Sequence, residues 1–391
     1  MNIILFDQSK FRNQLKPITL TRPIGKIRIG ILTIDEKWKN YFDADVSFLT
    51  EDYLSKKFPA SYSETNIYIN ASFLPFGELA DKISKLRIQE ALIYNGQILA
   101  CHTQQVLKFD EINASEFQNI EFEHSKITVI SELPHLFLNN GDQIKADFEK
   151  ITKERRSNPV VDNFTAVYNS DNIFIENGAQ IKASILNAEN GPIYIGKSAI
   201  IQEGSLIIGP AAICDESMVA FGAKIRPNTT LGPVSRVGGE VGNSIFHGFS
   251  NKAHDGFLGN SYIGEWCNLG ANTNNSNLKN DYKSVKLYNY DVQELYDTKE
   301  IFCGTFMGDY TKAGISTMFN TGTVVGVSCN IYGSDFQEKF IPSFTWGGKT
   351  EGYLDYRFEK AIEVINATMA RREKVLSNSD FEILKYISSN K

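Results

Sequence analysis

The second half of the chain carries a hydrophobic repeat with a period of six residues. Aliphatic residues occupy successive repeat positions at Ile195, Ile201, Ile207, Ile213, Val219, Ile225, Leu231 and Val237. A second series follows at Met307, Ala313, Phe319, Val325 and Ile331. Six is not a multiple of the helical period, and the segment is rich in β-branched residues and glycine, which excludes a helix. The repeat predicts a triangular coil, a left-handed parallel β-helix in which three steps complete one turn.

Two intervals interrupt the repeat and predict loops outside the coil. Residues 238–260 break the register, and residues 272–297 form a long polar excursion. Loops on a rigid scaffold often carry function. After Gly333 the repeat ends, and residues 353–387 have apolar positions at helical spacing, which predicts a helical appendage. We place the coil domain at residues 157–335 and the C-terminal helical extension at 336–391.

The first 156 residues alternate between strand-like and helix-like segments, which predicts a separate α/β domain. Short apolar runs predict strands at residues 3–6, 46–49 and 67–69. Asn95-Gly96 lies between two further apolar runs and is typical of a type I′ hairpin turn. An amphipathic helix is predicted to begin after an N-cap at Asp142, and its charged end at 153–156 marks the domain boundary.

Charge narrows the choice of partners. Lys and Arg number 40 and Asp and Glu number 46, a net charge of -6, so no basic excess is present to neutralise a nucleic-acid backbone. The first residues lack a basic region, and their apolar run is too short for a signal peptide or a membrane span. We expect a cytoplasmic protein that binds small molecules rather than nucleic acid or membranes.

Residues 251–273 combine a histidine with short glycine motifs. After His254 come Leu258-Gly259, Ile263-Gly264 and then Asn268-Leu269-Gly270-Ala271-Asn272-Thr273. This order resembles the active-site region of the GlmU family, bifunctional bacterial glucosamine-1-phosphate acetyltransferases and N-acetylglucosamine-1-phosphate uridylyltransferases. Upstream, residues 222–227 are similar to the family's Arg-Pro segment. The resemblance implies transfer of an acetyl group from acetyl-CoA to an amino sugar phosphate, in a homotrimer whose CoA site lies between neighbouring coils.

The resemblance also implies roles for individual residues. His254 would be the general base that deprotonates the acceptor amine, because an imidazole titrates near the working pH. Glu240 would orient or charge-tune His254, and Arg226 would hold the sugar phosphate, since a guanidinium binds phosphate bidentately. Asn268 and Asn277 match asparagines that hold the amino sugar and the reacting groups. Each of the five could instead be an ordinary corner or surface residue.

Three positions depart from the family pattern and leave the acceptor open. The family's phosphate-binding lysine is Gly242 here, the tyrosine three residues after the histidine is Phe257, and a further tyrosine is Leu278. Lys252, close to His254, is a candidate to replace the lost positive charge.

Residues 15–33 look like part of a shortened nucleotidyltransferase domain of a divergent GlmU-like chain. Nucleotidyl transfer depends on Mg²⁺ and on cations around the transferring phosphoryl group. Arg22, Lys26 and Arg28 are the candidates for nucleotide binding, and Asp7 for the metal. The stretch after the first strand has no glycine to wrap phosphates. Two hypotheses therefore remain: a bifunctional sugar-nucleotide enzyme, and an acetyltransferase whose N-domain binds a sugar nucleotide without turnover.

Two functions of other classes explain the sequence less well. A β-helix carbonic anhydrase needs three histidines on one zinc ion, and only His247 and His254 lie in the predicted coil. A purely structural scaffold would explain the coil but not the motif that begins at His254.

Overall fold

A computed structural model describes residues 2–391. The N-terminal part contains one six-stranded sheet in the order β2-β1-β3-β5-β4-β6. Its strands are β1 (Ile3–Phe6), β2 (Val46–Leu49), β3 (Asn66–Asn70), β4 (Glu90–Tyr94), β5 (Gln97–Thr103) and β6 (Gln118–Glu121). β1 runs parallel to both of its neighbours, while β5 is antiparallel to β3 and β4. The carboxyl ends of β1, β2 and β3 therefore meet at one edge, where open α/β sheets bind ligands.

Five helices surround this sheet, which confirms the predicted α/β domain. They are α1 (Ser9–Gln14), α2 (Ile34–Phe42), α3 (Asp52–Ser55), α4 (Gly77–Ser84) and α5 (Leu133–Thr152). The predicted hairpin is confirmed, since Asn95 and Gly96 both have positive φ, 49° and 74°. The start of the last helix was misplaced at Asp142. Gly141 looks like a break in sequence, but the Asn228 side chain lies 2.1 Å from where a Cβ would be, so glycine lets α5 approach the coil.

The coil has three faces of parallel strands, which confirms the predicted β-helix. The first face contains β7 (Ala166–Tyr168), β10 (Ile185–Asn187), β13 (Leu206–Ile208), β16 (Lys224–Ile225), β19 (Glu240–Gly242) and β22 (Phe257–Gly259), with β25 (Asn274–Asn275) and β30 (Met318–Phe319) beyond them. The second face contains β8 (Ile173–Ile175), β11 (Ile193–Ile195), β14 (Ala211–Ile213), β17 (Thr229–Leu231), β20 (Ile245–Gly248), β23 (Tyr262–Glu265), β28 (Thr305–Met307), β31 (Thr323–Val325) and β33 (Phe340–Ile341). The third face contains β9 (Gln180–Ile181), β12 (Ile200–Ile201), β15 (Met218–Val219), β18 (Arg236–Val237), β21 (Asn251–Lys252), β24 (Asn268–Leu269), β29 (Lys312–Ala313), β32 (Asn330–Ile331) and β34 (Thr345–Gly348).

The six-residue repeat fills the interior of the coil. Ile195 pairs with Ile213, and Ile213 with Leu231, so three steps of the repeat make one turn. These side chains are fully buried and form one core that runs along the coil axis.

The prediction that residues 238–260 leave the coil was wrong. Leu231 pairs with Phe246, and Val237 pairs with Lys252, so this turn closes with three residues fewer than the turn before it. Shortened corners, rather than an excursion, break the register of six. The predicted polar excursion at residues 272–297 does leave the coil. It carries a hairpin of β26 (Lys286–Asn289) and β27 (Glu294–Asp297).

The C-terminal boundary also needs correction. The coil continues past residue 335 through β33 and β34, and β35 (Gly352–Asp355) folds back antiparallel on β34. Gly347 and Gly352 have φ values of 123° and 87° and permit this turn, so the chain at 353 is a strand and not a helix. Two helices follow, α6 (Phe358–Ala370) and α7 (Asn378–Ser389). None of the helices within residues 2–391 is long and apolar enough to cross a membrane.

Candidate functional site

His254 lies at the corner where the third face turns into the first, between β21 and β22. The residue is exposed, and so is the neighbouring Asp255. Such a corner presents a side chain to ligands while the strands on either side fix its backbone.

The corner is held from inside by Lys252. Its side chain occupies the inward position that Val237 fills one turn below and is 1% exposed. The ammonium donates to the carbonyl oxygens of Gly238 at 3.4 Å, His254 at 3.2 Å and Gly256 at 2.7 Å. Burial lowers the pKa of Lys252 to about 8, and Asp255 opposes that shift. The prediction that Lys252 replaces a phosphate-binding lysine is therefore not supported, because an ammonium inside the coil does not face an external ligand.

The strip of the first face beside this corner, from Arg226 through Gly242 and Gly259 to Asn277, is named the first-face groove. Gly242 and Gly259 pair across β19 and β22, and neither has a side chain. A Cβ at Gly242 would lie 3.0 Å from the Arg226 Cβ, and a Cβ at Gly259 would lie 2.6 Å from the Asn277 amide nitrogen. The Arg226 side chain thus packs over Gly242, and the Asn277 and Phe257 side chains pack over Gly259.

The structure brings three more of the predicted residues onto this face and leaves one off it. The Arg226 guanidinium donates to Glu240 at 3.2 Å, and Asn277 donates to Asn260 at 2.8 Å. Glu240 therefore pairs with Arg226, whereas the resemblance implies that Glu240 orients His254. Asn268 lies on the third face, where its amide oxygen accepts from Asn251 at 2.8 Å.

Sequence reasoning missed the residues that hold the groove floor. Asn274 accepts from the Phe257 N–H at 2.7 Å, and Asn275 accepts from the Gly259 N–H at 2.9 Å. Asn275 is buried where the repeat elsewhere has an aliphatic residue. A polar residue at an inward repeat position was the available signal.

The basic segment of the N-domain packs against the coil. Arg22 is buried and forms ion pairs with Asp309 and, at 3.2 Å, with Glu265. Arg28 is buried and donates to the His247 carbonyl at 3.0 Å, and Lys26 pairs with Asp35. These contacts account for the three cations without a nucleotide.

An interdomain cavity beside this segment has balanced charges. Its volume is about 240 Å³, and four cations line it, the three of the basic segment and Lys57, together with four carboxylates, those of Glu36, Glu265, Asp309 and Asp380. Balanced charge gives the cavity no preference for an anion, so nucleotide binding at these residues finds no support here.

Asp7, the predicted metal ligand, has both carboxylate oxygens engaged inside the N-domain. One accepts from the Ile24 N–H at 2.9 Å, and the other accepts from Arg12 at 2.9 Å and from Thr50 at 2.6 Å. Burial raises the pKa of Asp7, and Arg12 opposes that shift. Metal binding by Asp7 would have to displace these partners. In residues 2–391 we find no cluster of three His, Cys, Asp or Glu side chains that could hold a metal ion.

A different part of the N-domain offers an open crevice. Cavities of about 780 and 370 Å³ adjoin the carboxyl end of β1 and share Gln8, Gln97 and Asp110 in their walls, with Lys10 in the smaller. The position is the one that the sheet topology favours for a ligand. Lys10 lies in α1, four residues after the end of β1, and was not singled out in the sequence.

The chain is similar in part to several known proteins. Residues 3–156 match the sugar nucleotidyl transferase family. The bifunctional protein GlmU of Methanocaldococcus jannaschii is 37% identical over 126 residues, which are 32% of this chain and 30% of that protein. The GlmU of Methanococcus maripaludis strain S2 is 33% identical over 159 residues, 39% of this chain and 38% of that one. The chain is thus similar to sugar nucleotidyl transferases over residues 3–156 and to GlmU proteins over part of its length.

The chain spans about a third of the length of the curated relatives that it matches. A bifunctional sugar-1-phosphate nucleotidylyltransferase/acetyltransferase of Sulfurisphaera tokodaii is 29% identical over 144 residues, 36% of this chain and 35% of that protein. Among solved structures, the polySia-specific acetyltransferase NeuO has a TM-score of 0.25 at 12% identity and covers 50% of this chain and 84% of that chain. An Arabidopsis UDP-N-acetylglucosamine acyltransferase has a TM-score of 0.26 at 11% identity and covers 56% and 80%.

Proposed function

We propose that the coil transfers an acetyl group from acetyl-CoA to the amine of an amino sugar phosphate, with His254 as the general base. The observation that carries this proposal is the exposed imidazole on a corner fixed from within, beside the face of the coil that carries Arg226. The similarity to proteins named bifunctional GlmU supports it.

The chemistry follows from these groups. The acceptor amine attacks the thioester carbonyl while the His254 imidazole takes the amine's proton, so the C–N bond forms. The C–S bond then breaks, and the imidazolium returns the proton to the leaving thiolate. Arg226 would bind the acceptor's phosphate in competition with Glu240, which now accepts from it at 3.2 Å. Asn277 would hold the amino sugar at the other end of the groove.

The acceptor should differ from that of the GlmU proteins. Gly242 has no charge where the family pattern has a cation, and Phe257 has no hydroxyl to offer the sugar. We expect a more apolar acceptor than glucosamine 1-phosphate, such as a deoxy amino sugar phosphate. A panel that includes deoxy amino sugars covers this expectation.

For the N-domain we propose sugar-nucleotide binding at the crevice beside β1. Two hypotheses remain, as the sequence left them: nucleotidyl transfer with Mg²⁺, or binding without turnover. The match of residues 3–156 to nucleotidyl transferases favours the first. The absence of glycine after β1 favours the second, because α1 begins at Ser9 without a phosphate-wrapping loop. Pyrophosphate release with each nucleoside triphosphate and a sugar 1-phosphate separates them.

We also propose a cytoplasmic homotrimer, because flat coil faces can pack side by side and a neighbouring coil would then complete the acetyl-CoA site. Light scattering should give about three times 43.9 kDa. A strict monomer at micromolar concentration would contradict a shared site.

The test of the acetyl-transfer proposal is direct. The protein is incubated with acetyl-CoA and a panel of amino sugars and their 1-phosphates, and release of free thiol is followed. We expect acceptor-dependent thiol release with at least one phosphorylated amino sugar. Hydrolysis of acetyl-CoA at the same rate with and without every acceptor would refute the proposal.

A further inference from the structure

A cavity of about 450 Å³ separates the third face of the coil from helix α6. Its coil wall consists of outward-facing residues from consecutive strands, among them Arg236, Asn251, Asn268 and Lys312. Residues of the helix close the other side. The cavity lies outside the first-face groove and inside a single chain.

The helix contributes one stripe of side chains to the cavity. Val364, Thr368 and Arg371 line it at successive four- and three-residue intervals, which places them on one side of the helix, and Arg372 follows directly. Buried Ile365 and Met369 hold α6 in place. The two arginines thus reach the cavity from the C-terminal end of α6, which is packed against the rest of the chain.

Charge in this cavity is one-sided. Four of its lining residues are cations, and none of the described lining residues is acidic. Within residues 2–391 no salt bridge joins Arg236, Arg371 or Arg372 to a carboxylate. Lys312 donates to the Trp266 carbonyl, and its pKa is lowered to about 8 by burial. The pKa of Arg372 is lowered by partial burial and by the positive charges of Arg236 and Arg371.

No carboxylate among the described lining residues compensates the positive charge of this cavity. Other buried cations of the molecule have carboxylate partners, as Arg22 has in Asp309 and Lys37 in Asp147, or neutral carbonyl partners, as Lys252 has. Like charges gathered without counter-charges repel one another and raise the free energy of the folded state. A bound polyanion would remove this repulsion and occupy guanidinium groups that bind phosphate bidentately.

We propose that this cavity binds an oligophosphate, with the phosphates held by Arg236, Lys312, Arg371 and Arg372. Asn251 and Asn268 add amide groups to the same wall. Two sources supply this chemistry: the nucleotide end of CoA, and a free nucleoside diphosphate. Asn251 lies three residues before His254, which is about 10 Å of extended chain, so the acyl arm of CoA could run from the cavity to the base. Naming CoA rests on the proposed function, whereas oligophosphate binding does not.

The experiment measures binding by the full-length protein, independent of turnover. Equilibrium dialysis with radiolabelled pyrophosphate compares the wild type with the double variant Arg371→Gln/Arg372→Gln. Both arginines lie at or near the surface, so folding should survive, and a melting curve checks this. The matched control is Lys360→Gln/Lys374→Gln, which removes two exposed positive charges from the same region without touching the cavity.

We expect pyrophosphate binding by the wild type and the control, and a loss of about ten- to hundredfold in affinity in the arginine double variant, because each arginine supplies charge-assisted hydrogen bonds. Competition by CoA at lower concentration than UDP would identify the acyl donor, and the reverse order would identify a free nucleotide. Either order supports the site. Wild-type protein that binds none of the three probes, or an arginine variant that binds like the control, would overturn it. A protein without acetyl transfer that still binds through these arginines would refute the proposed function alone.

Discussion

We predict that Lys252 is a positioning residue. Its buried ammonium holds the His254 corner in place and lowers the stability of the folded protein. The perturbation is Lys252→Met, which keeps an unbranched side chain of similar length at an inward position of the coil. The variant removes the ammonium that donates to Gly238, His254 and Gly256. It also restores an apolar residue between Val237 and Leu269 in the interior column.

Two opposing effects set the change in stability. A pKa of about 8 instead of 10.5 corresponds to about 3 kcal/mol of unfavourable free energy for the charged form at neutral pH, and methionine relieves it. Against this, the Gly238 carbonyl loses its donor at a cost of about 1–3 kcal/mol, while the carbonyl of exposed His254 can bind water. We expect the free energy of unfolding to stay equal or rise by up to about 2 kcal/mol.

The rate of acetyl transfer should fall, even though stability is equal or higher. A corner without its internal donor can shift, and a displacement of about 1 Å of a catalytic group can lower the rate about 10²-fold. The assay is acetyl transfer with the best acceptor of the panel, alongside urea unfolding. Lys182→Met, an exposed lysine next to the inward position of β9, is the matched control and should change neither quantity.

The pH dependence gives a second readout. Because the folded-state pKa is below the unfolded value, the unfolded chain binds more protons between pH 8 and 10.5, and wild-type stability rises with pH in that window. The stability difference between Lys252→Met and the wild type should be full below pH 8 and close as the pH approaches 10.5. A variant that loses more than about 2 kcal/mol and keeps its full rate would show that Lys252 is purely structural.

Three further predictions test close contacts within the molecule. Arg22→Met should destabilise the protein by about 3–5 kcal/mol, because buried Asp309 loses its partner; loss of nucleotide affinity in thermally stable protein would instead support a nucleotide role for Arg22. Gly259→Ala should weaken acceptor binding in steady-state kinetics, since a Cβ would lie 2.6 Å from the Asn277 amide, and an unchanged KM would argue against the groove. Gly141→Ala should lower the melting temperature by separating α5 from the coil, and an unaltered melting curve would contradict that close packing.

The sequence was most informative where one structural constraint acts on every turn. The column from Ile195 to Val237 predicts the coil because each inward position faces the same apolar interior. The repeat gave a wrong prediction at residues 238–260, because the corners there are shorter and the spacing changes although the inward positions persist. Spacing alone cannot distinguish a shortened turn from an excursion.

The candidate site was predictable in part. His254, Arg226, Glu240 and Asn277 are identified from a motif, and the structure places them on one corner and one face. The role of Lys252 was not predictable, because a lysine beside a histidine gives no sign that it points inward. That information lies in its pairing with Val237.

The interdomain contacts were also beyond the sequence. Arg22 and Asp309 are far apart in the chain, and their pairing depends on how the N-domain docks on the coil. A cluster of cations in one segment indicates an anion partner, but it does not say whether that partner is a ligand or the protein itself.

The most direct test of the central proposal is the rate of acetyl transfer by His254→Ala with the best acceptor. A general base contributes about 10²–10⁴-fold to the rate, and an exposed corner residue contributes little packing. We therefore predict a fall in kcat of that size with a melting temperature close to that of the wild type. A fully active His254→Ala variant would contradict the assignment of the catalytic base to this corner.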